Sequence, residues 1–311
     1  MRPFDKDEVA DAAVELKVDP ALVEKEWHAV RVIGVVTTTR HPVADAHFSG
    51  GTALSVGHAL TARFSEDVDF KIRPRRNMDQ PALHRTVQEF AAAVCKALGA
   101  VGYTEDPQVR HENAQHCFVR LGFIYHAEFT ASQSLRPYLK VEMIGEPSAV
   151  RPIPKDLFCR VTRLAAEHAP ETPPDIVGVP CVDPVETAAD KVAALTWRVL
   201  TRNRQAPNDD PTLVRHFYDL HCMRTLLATK GSFGHLVVEA IRKDADRGGA
   251  VIDRLDPWRS VDLALKRVSS DKAYLREYDN FVGAMCFNNP PPPLPEVMAS
   301  LTEIVKQHKK M

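Results

Sequence analysis

Apolar residues first recur along the chain at helical spacing. Val9, Ala12, Ala13 and Leu16 share one face between Asp5 and Leu16, and a second helix opening at Asp19-Pro20 runs through Leu22, Val23, Trp27 and Val30 towards Val36. Leu83, Val87, Phe90, Ala91, Val94 and Leu98 predict a further helix from Pro81 to Leu98, suited to cover one face of a sheet. Between these helices the period changes. Residues 46–73 read as a short apolar run ending in Ser49-Gly50-Gly51, a helical segment, then a strand in which Asp67 and Asp69 alternate with Val68 and Phe70.

Strand-like runs follow at Cys117–Tyr125, Ala127–Ala131 and Tyr138–Ile144, and in the last of these Lys140 and Glu142 face away from Leu139, Val141 and Met143. Prolines punctuate 145–180, which reads as short strands and connections, with Phe158–Glu167 either a short helix or a strand. Asp183 as a cap, Pro184 at the first helical position and Glu186 completing a capping box start a helix that should run to about Arg202. A polar loop, Asn203–Pro211, leads to a helix carrying His216, Tyr218 and Asp219. The remainder is helical with a break at Pro290–Pro293, and Trp258, Leu263, Leu265, Val268 and Leu275 are expected to face its core. This suggests two parts: residues 1–182, a core lobe with N-terminal helices, and residues 183–311, a mainly helical lobe.

Composition narrows the class. Lys plus Arg number 40 against 41 Asp plus Glu, so any contact with RNA must come from a local patch; Arg73, Arg75 and Arg76, and Arg110, His111, His116, Arg120, His126 and Arg136, are the candidates. No apolar run is long enough to span a membrane, and the acidic, amphipathic start is unlike a signal peptide, so a cytoplasmic location is expected. The six cysteines form no Cys-x-x-Cys pair and are expected to be free thiols.

The chemistry concentrates between Ser49 and Asp69. Two carboxylates two residues apart on a strand project together, repel one another and call for a cation. Magnesium suits them, since it takes oxygen ligands and leaves positions for water and phosphates, and manganese is the alternative. Gly50 and Gly51 allow a backbone to approach a phosphate, with Thr52 and the following amides at the start of a helix. Taken singly, the glycines also read as a turn and the acids as a solvated strand end.

Ser49-Gly50-Gly51-Thr52-Ala53-Leu54, followed by Arg63-Phe64-Ser65-Glu66-Asp67-Val68-Asp69-Phe70, resembles the signature of the AbiEii/AbiGii-type nucleotidyltransferase toxins, within the DNA polymerase β-like superfamily. Val23-Glu24-Lys25-Glu26-Trp27, Ala189–Leu195 and Arg215-His216-Phe217-Tyr218-Asp219-Leu220 match the same family, in order, so the resemblance covers roughly residues 7–225. It implies an α+β fold, a polymerase β-like core of mixed sheet and flanking helices with a mainly helical C-terminal lobe.

It further implies an NTP substrate, nucleotide contacts from Ser49, Gly50, Gly51, Thr52, Ser65 and Lys191, and Asp67, Asp69, Lys191 and Asp219 as active-site residues, the last two reaching the cleft from the C-terminal lobe. A third metal carboxylate often comes from a neighbouring strand in this superfamily, which would be Glu142; a cross-strand ion pair is the other reading. Where the family commonly has Arg-Asp before the aromatic residues, this chain has Arg215-His216. The implied activity is transfer of a nucleoside monophosphate to the 3′ end of tRNA, blocking translation, with a cognate antitoxin as partner. A protein hydroxyl as acceptor, or a regulatory module that binds nucleotide without catalysis, are the competing functions.

Overall fold

The computed structural model describes residues 2–130, 135–207, 209–288 and 290–309. The chain divides into two compact units, one holding the residues up to Ala59 together with Arg63–Asp183, the other Leu60–Ala62 and the chain from Pro184 onward.

The first unit is a mixed sheet with helices. Its elements in order are α1 (Lys6–Leu16), α2 (Pro20–Thr38), β1 (Ala44–Ser49), α3 (Gly50–Thr52), β2 (Asp67–Pro74), α4 (Gln80–Gly99), β3 (Thr104–Glu105), β4 (His111–Asn113), β5 (Phe118–Ile124), β6 (Leu139–Gly145), β7 (Ile153–Leu157), α5 (Arg160–His168) and β8 (Ile176–Cys181). A single five-residue π turn, Ala53–Gly57, extends α3. The strands run β3-β5-β6-β2-β1-β8-β7, with β4 paired to β5. β2 pairs with β6 in parallel and with β1 antiparallel.

The alternation legible in the strands divides the sheet into two chemically distinct faces. Phe48, Val68, Phe70, Ile72, Val119, Leu121, Val141 and Met143 are buried, and α2 and α4 pack on the sheet. At roughly 25 cal/mol per Å², this burial is the main force holding the layers together. Side chains of the opposite parity are polar, and the register sets Ser49 beside Asp69, Asp67 beside Lys140, Asp69 beside Glu142 and Glu142 beside Arg120. Apolar contact therefore builds the scaffold and leaves one face for chemistry.

Helix ends follow the capping rules. Asp5 and Asp19 accept backbone amides at the starts of α1 and α2. The Phe158–Glu167 ambiguity is settled as helix, α5. Its N-terminus receives an unusual cap: the buried Glu26 carboxylate, on α2, accepts the Arg160 amide at 2.8 Å. The strand expected at Ala127–Ala131 is absent over 127–130, with Ala131 outside the described residues. The Glu24 carboxylate takes the amides of Glu128 at 2.6 Å and Phe129 at 3.2 Å, so those donors serve a loop anchor instead of a strand ladder.

Close to that anchor, Phe4, Trp27, Tyr103 and Tyr125 surround His28, whose ring lies 4.3 Å from that of Tyr125 and whose Nδ1 is 3.0 Å from the Tyr103 hydroxyl. Burial, assisted by Arg31, pulls the imidazole down to about 4 from 6.5. The unfolded chain therefore takes up the proton first as pH falls, and stability is lost from 6.5 down to about 4. His28→Phe removes that liability. Between pH 7 and 4.5 the native chain should lose roughly 2–3 kcal/mol more unfolding free energy than the variant, measured by urea titration at both pH values.

The second unit is helical: α6 (Pro184–Thr201), α7 (Arg215–Cys222), α8 (Arg224–Ala228), α9 (Phe233–Gly248), α10 (Pro257–Ser270), α11 (Ala273–Met285) and α12 (Leu294–His308). Trp258, Val261, Leu265 and Val268 form the buried stripe of α10, while Leu263 falls off that spacing and is exposed. Leu275 is likewise exposed, because α11 turns Tyr274, Tyr278, Phe281 and Val282 inward. The polar loop after α6 is tied down by Arg202, which meets Asp209 at 2.8 Å and Glu277 at 2.6 Å and lies over the Tyr274 ring. No described helix is long and apolar enough to cross a membrane, and all six cysteines are free thiols.

Candidate active site

The Ser49–Thr52 turn and the start of β2 form one fitted piece. Ser49, the last residue of β1, stands opposite Asp69 and makes no side-chain cap to α3. Gly50 has φ of +76°, and a Cβ there would lie 1.9 Å from Asp69 Oδ2 and 2.7 Å from its Cγ. The Asp69 carboxylate thus occupies the space that any other residue at 50 would fill. Gly51 serves a second close approach, since its missing Cβ would stand 2.5 Å from Arg63 Nη2 and 3.2 Å from Ser65 Oγ. The Thr52 hydroxyl donates to the Asp67 carbonyl, locking the turn onto the acidic strand. Arg63 is fully buried and donates to the Phe64 carbonyl at 2.8 Å.

Cations surround the first acid. Asp67 Oδ1 accepts Arg136 Nη2 at 2.6 Å and lies 3.0 Å from Lys140 Nζ. Lys140 is also 3.2 Å from Glu142 Oε1, which accepts Arg120 Nε at 2.8 Å. Glu142 therefore makes the cross-strand ion pair, and among the described residues no three His, Cys, Asp or Glu side chains converge as a metal-binding group. Asp67 and Asp69 remain a two-carboxylate set. That set fits magnesium or manganese, which need only one or two protein carboxylates when phosphates and water complete the shell.

Behind Asp67 stands a buried support. Lys25, from α2, donates to Glu66 Oε1 and to the Arg136 carbonyl, each at 2.6 Å, and Glu66 Oε1 also accepts the Arg136 amide at 3.0 Å. Glu66 is partly buried, and desolvation by itself would raise its carboxyl, but Lys25 and Arg136 outweigh this and hold it below its ordinary value. Three consecutive buried charges of α2 thus do three jobs: Glu24 anchors the 128–129 loop, Lys25 grips Glu66, and Glu26 caps α5. Of these residues the sequence marks Arg136 only as a candidate RNA contact, and Lys25 and Glu66 only as members of stretches that match the family, with no site role for them or for Lys140. The charge run inside a buried helical face is the local signal for Lys25, and the β2–β6 register that brings Lys140 to Asp67 is not local.

In the helical unit, Lys191 of α6 and Asp219 of α7 form a buried ion pair at 2.8 Å, with Asp219 fully inaccessible. Two charges taken this far from water must satisfy one another, and Lys191 is a buried lysine, not a surface one. His216, in the departed motif position, is buried as well.

No curated protein sequence matches the chain. Among solved structures, MenT4, a nucleotidyltransferase toxin from Mycobacterium tuberculosis H37Rv, shares the fold with a TM-score of 0.65 at 16% identity, over 99% of this chain and 91% of that one. The family described as the nucleotidyl transferase AbiEii toxin of type IV toxin–antitoxin systems matches residues 42–300. The chain therefore belongs to the AbiEii nucleotidyltransferase toxin family.

Proposed function

We propose that this nucleotidyltransferase toxin moves a nucleoside monophosphate from an NTP to the 3′ end of tRNA, and so blocks translation. The observation that carries the reading is the interlock of turn and strand, in which the Asp69 carboxylate sits against the bare Gly50 and Thr52 holds the Asp67 carbonyl. A phosphate-sized approach at Ser49–Thr52 and a divalent-cation pair at Asp67 and Asp69 are then parts of one rigid element.

Asp67 and Asp69 are the residues that would hold magnesium or manganese, whose chemistry is to neutralise phosphate charge and activate a hydroxyl. Backbone amides from Gly50 to Thr52 orient the outer phosphates, with Ser65 beside Gly51. Lys191 and Asp219, both in the helical unit, keep the active-site roles that the family resemblance implies for them: the lysine as a compact positive charge, and Asp219 holding that ammonium charged and oriented through their 2.8 Å contact. Water is excluded from that pair by burial, which strengthens it. Antitoxin partnership follows from the type IV family, and neutralisation by such a partner completes the proposal.

Purified protein is incubated with total tRNA, magnesium and each labelled NTP in turn. Label on the RNA establishes the acceptor and names the nucleotide. Label on protein with none on RNA moves the assignment to a protein hydroxyl, and binding without pyrophosphate release would leave a regulatory module.

A further inference from the structure

We propose that Arg136 is a triphosphate-binding residue of the transfer reaction, and that Lys25 and Glu66 are positioning residues that act through it. This rests on the reading of Asp67 and Asp69 as the NTP-handling carboxylates.

Arg136 is held at both ends of its peptide unit. Its amide is donated to Glu66, its carbonyl accepts from Lys25, and the two holding groups are themselves joined at 2.6 Å. Lys25 is nearly inaccessible, so this clamp is made in the interior where such bonds are strong. The clamp delivers the guanidinium to Asp67, with Nη2 at 2.6 Å from Asp67 Oδ1 and 3.5 Å from Glu66 Oε2. About a third of the Arg136 side chain stays accessible, while its Nε is buried without a hydrogen-bond partner.

A buried donor left unpaired is tolerated where geometry is fixed for another purpose. Here that purpose is a planar fork held beside the carboxylate that an NTP complex would engage. As Asp67 turns its charge to that complex, the guanidinium is left facing phosphate oxygens, which match its fork. A structural ion pair alone would require neither the double clamp on the Arg136 backbone nor a side chain left a third accessible. Three consecutive charges buried in α2 thereby gain a functional reason at their middle member.

Steady-state transfer is measured for the wild type, R136Q, R136K, K25M, K25R, E66Q and the K25M/R136Q double variant, with melting temperatures for each and D69A as the inactive reference. R136Q should raise KM for the NTP roughly tenfold to a hundredfold, the loss of one charge-assisted contact, with the acceptor KM unchanged. R136K should recover only part, because an ammonium lacks the fork. K25M and E66Q should show the same KM rise, K25R should restore it, and the double variant should be no worse than R136Q alone. E66Q breaks the same link with an isostere, should K25M fail to fold.

An unchanged NTP KM in R136Q, or a rise confined to the acceptor, overturns the phosphate role. Losses that multiply in the double variant overturn the positioning role. Transfer that survives in D69A overturns the underlying site reading, and this inference with it, and so is told apart from a failure of Arg136 alone.

Discussion

Asp69→Ala is expected to lower nucleotide transfer by roughly a thousandfold or more while the protein still melts cooperatively. The carboxylate sits at the centre of the polar face, with Ser49 beside it on β1 and Glu142 beside it on β6. Its own strand is held by apolar neighbours, Val68 and Phe70, which are fully buried on the other face. Removing the acid therefore leaves the packing that builds β2 untouched. Asp67→Ala should be nearly as inactive but less stable, since Asp67 balances Arg136 and Lys140, and the side chain of Lys140 is only 15% accessible. Transfer rates with labelled NTP, beside thermal melts of both variants, check the pair. An Asp69→Ala protein that retains more than about a tenth of wild-type rate would remove this carboxylate from the reaction, because loss of a charge-stabilising group costs far more than that.

The acids and the glycine turn were legible because they belong to a local pattern. A two-residue period is enough to place Asp67 and Asp69 on one face, and Val68 and Phe70 on the other. The environment of those acids was not legible, because it is set by strand pairing. Glu142 reaches Arg120 through the antiparallel β5–β6 register, and Lys140, two residues before it on β6, reaches Asp67 through a parallel β2–β6 register joining segments some seventy residues apart in the chain. Spacing within β6 alone left metal ligand and ion pair open.

Similar logic explains the α2 charges. An amphipathic reading assigns Glu24, Lys25 and Glu26 to a helix that simply packs on the core, whereas each finds its partner in a segment well over thirty residues away. The same long-range bonds dissolved the strand expected at 127–130. In the helical unit, counting apolar residues overstated the core, since Leu263 and Leu275 lie off the stripe that spacing of three and four selects. Lys191 shows the reverse case: only its partner on α7 reveals that the lysine is buried, and that partner comes from a different helix.

Gly50→Ala should come close to Asp69→Ala in lost transfer, although it removes no chemical group. The new Cβ would meet Oδ2 of Asp69 at 1.9 Å, Cγ at 2.7 Å and Cβ at 2.9 Å, so turn and carboxylate cannot both keep their places. The φ of +76° adds a penalty of about 1–2 kcal/mol for any L side chain, which should appear as a lowered melting temperature. Relief by moving the turn would draw the Thr52 hydroxyl from the Asp67 carbonyl, and relief by moving Asp69 would take the acid from its register with Ser49. A double variant separates these routes from a general loss of structure. If Gly50→Ala acts by displacing the carboxylate, adding it to Asp69→Ala should cost no further activity, and should destabilise less than it does alone, because the two closest contacts, Oδ2 and Cγ, have gone and only the Cβ at 2.9 Å is left. Activity losses that multiply would instead mean that the turn works independently of Asp69, and the fitted unit of glycine and acid would have to be abandoned.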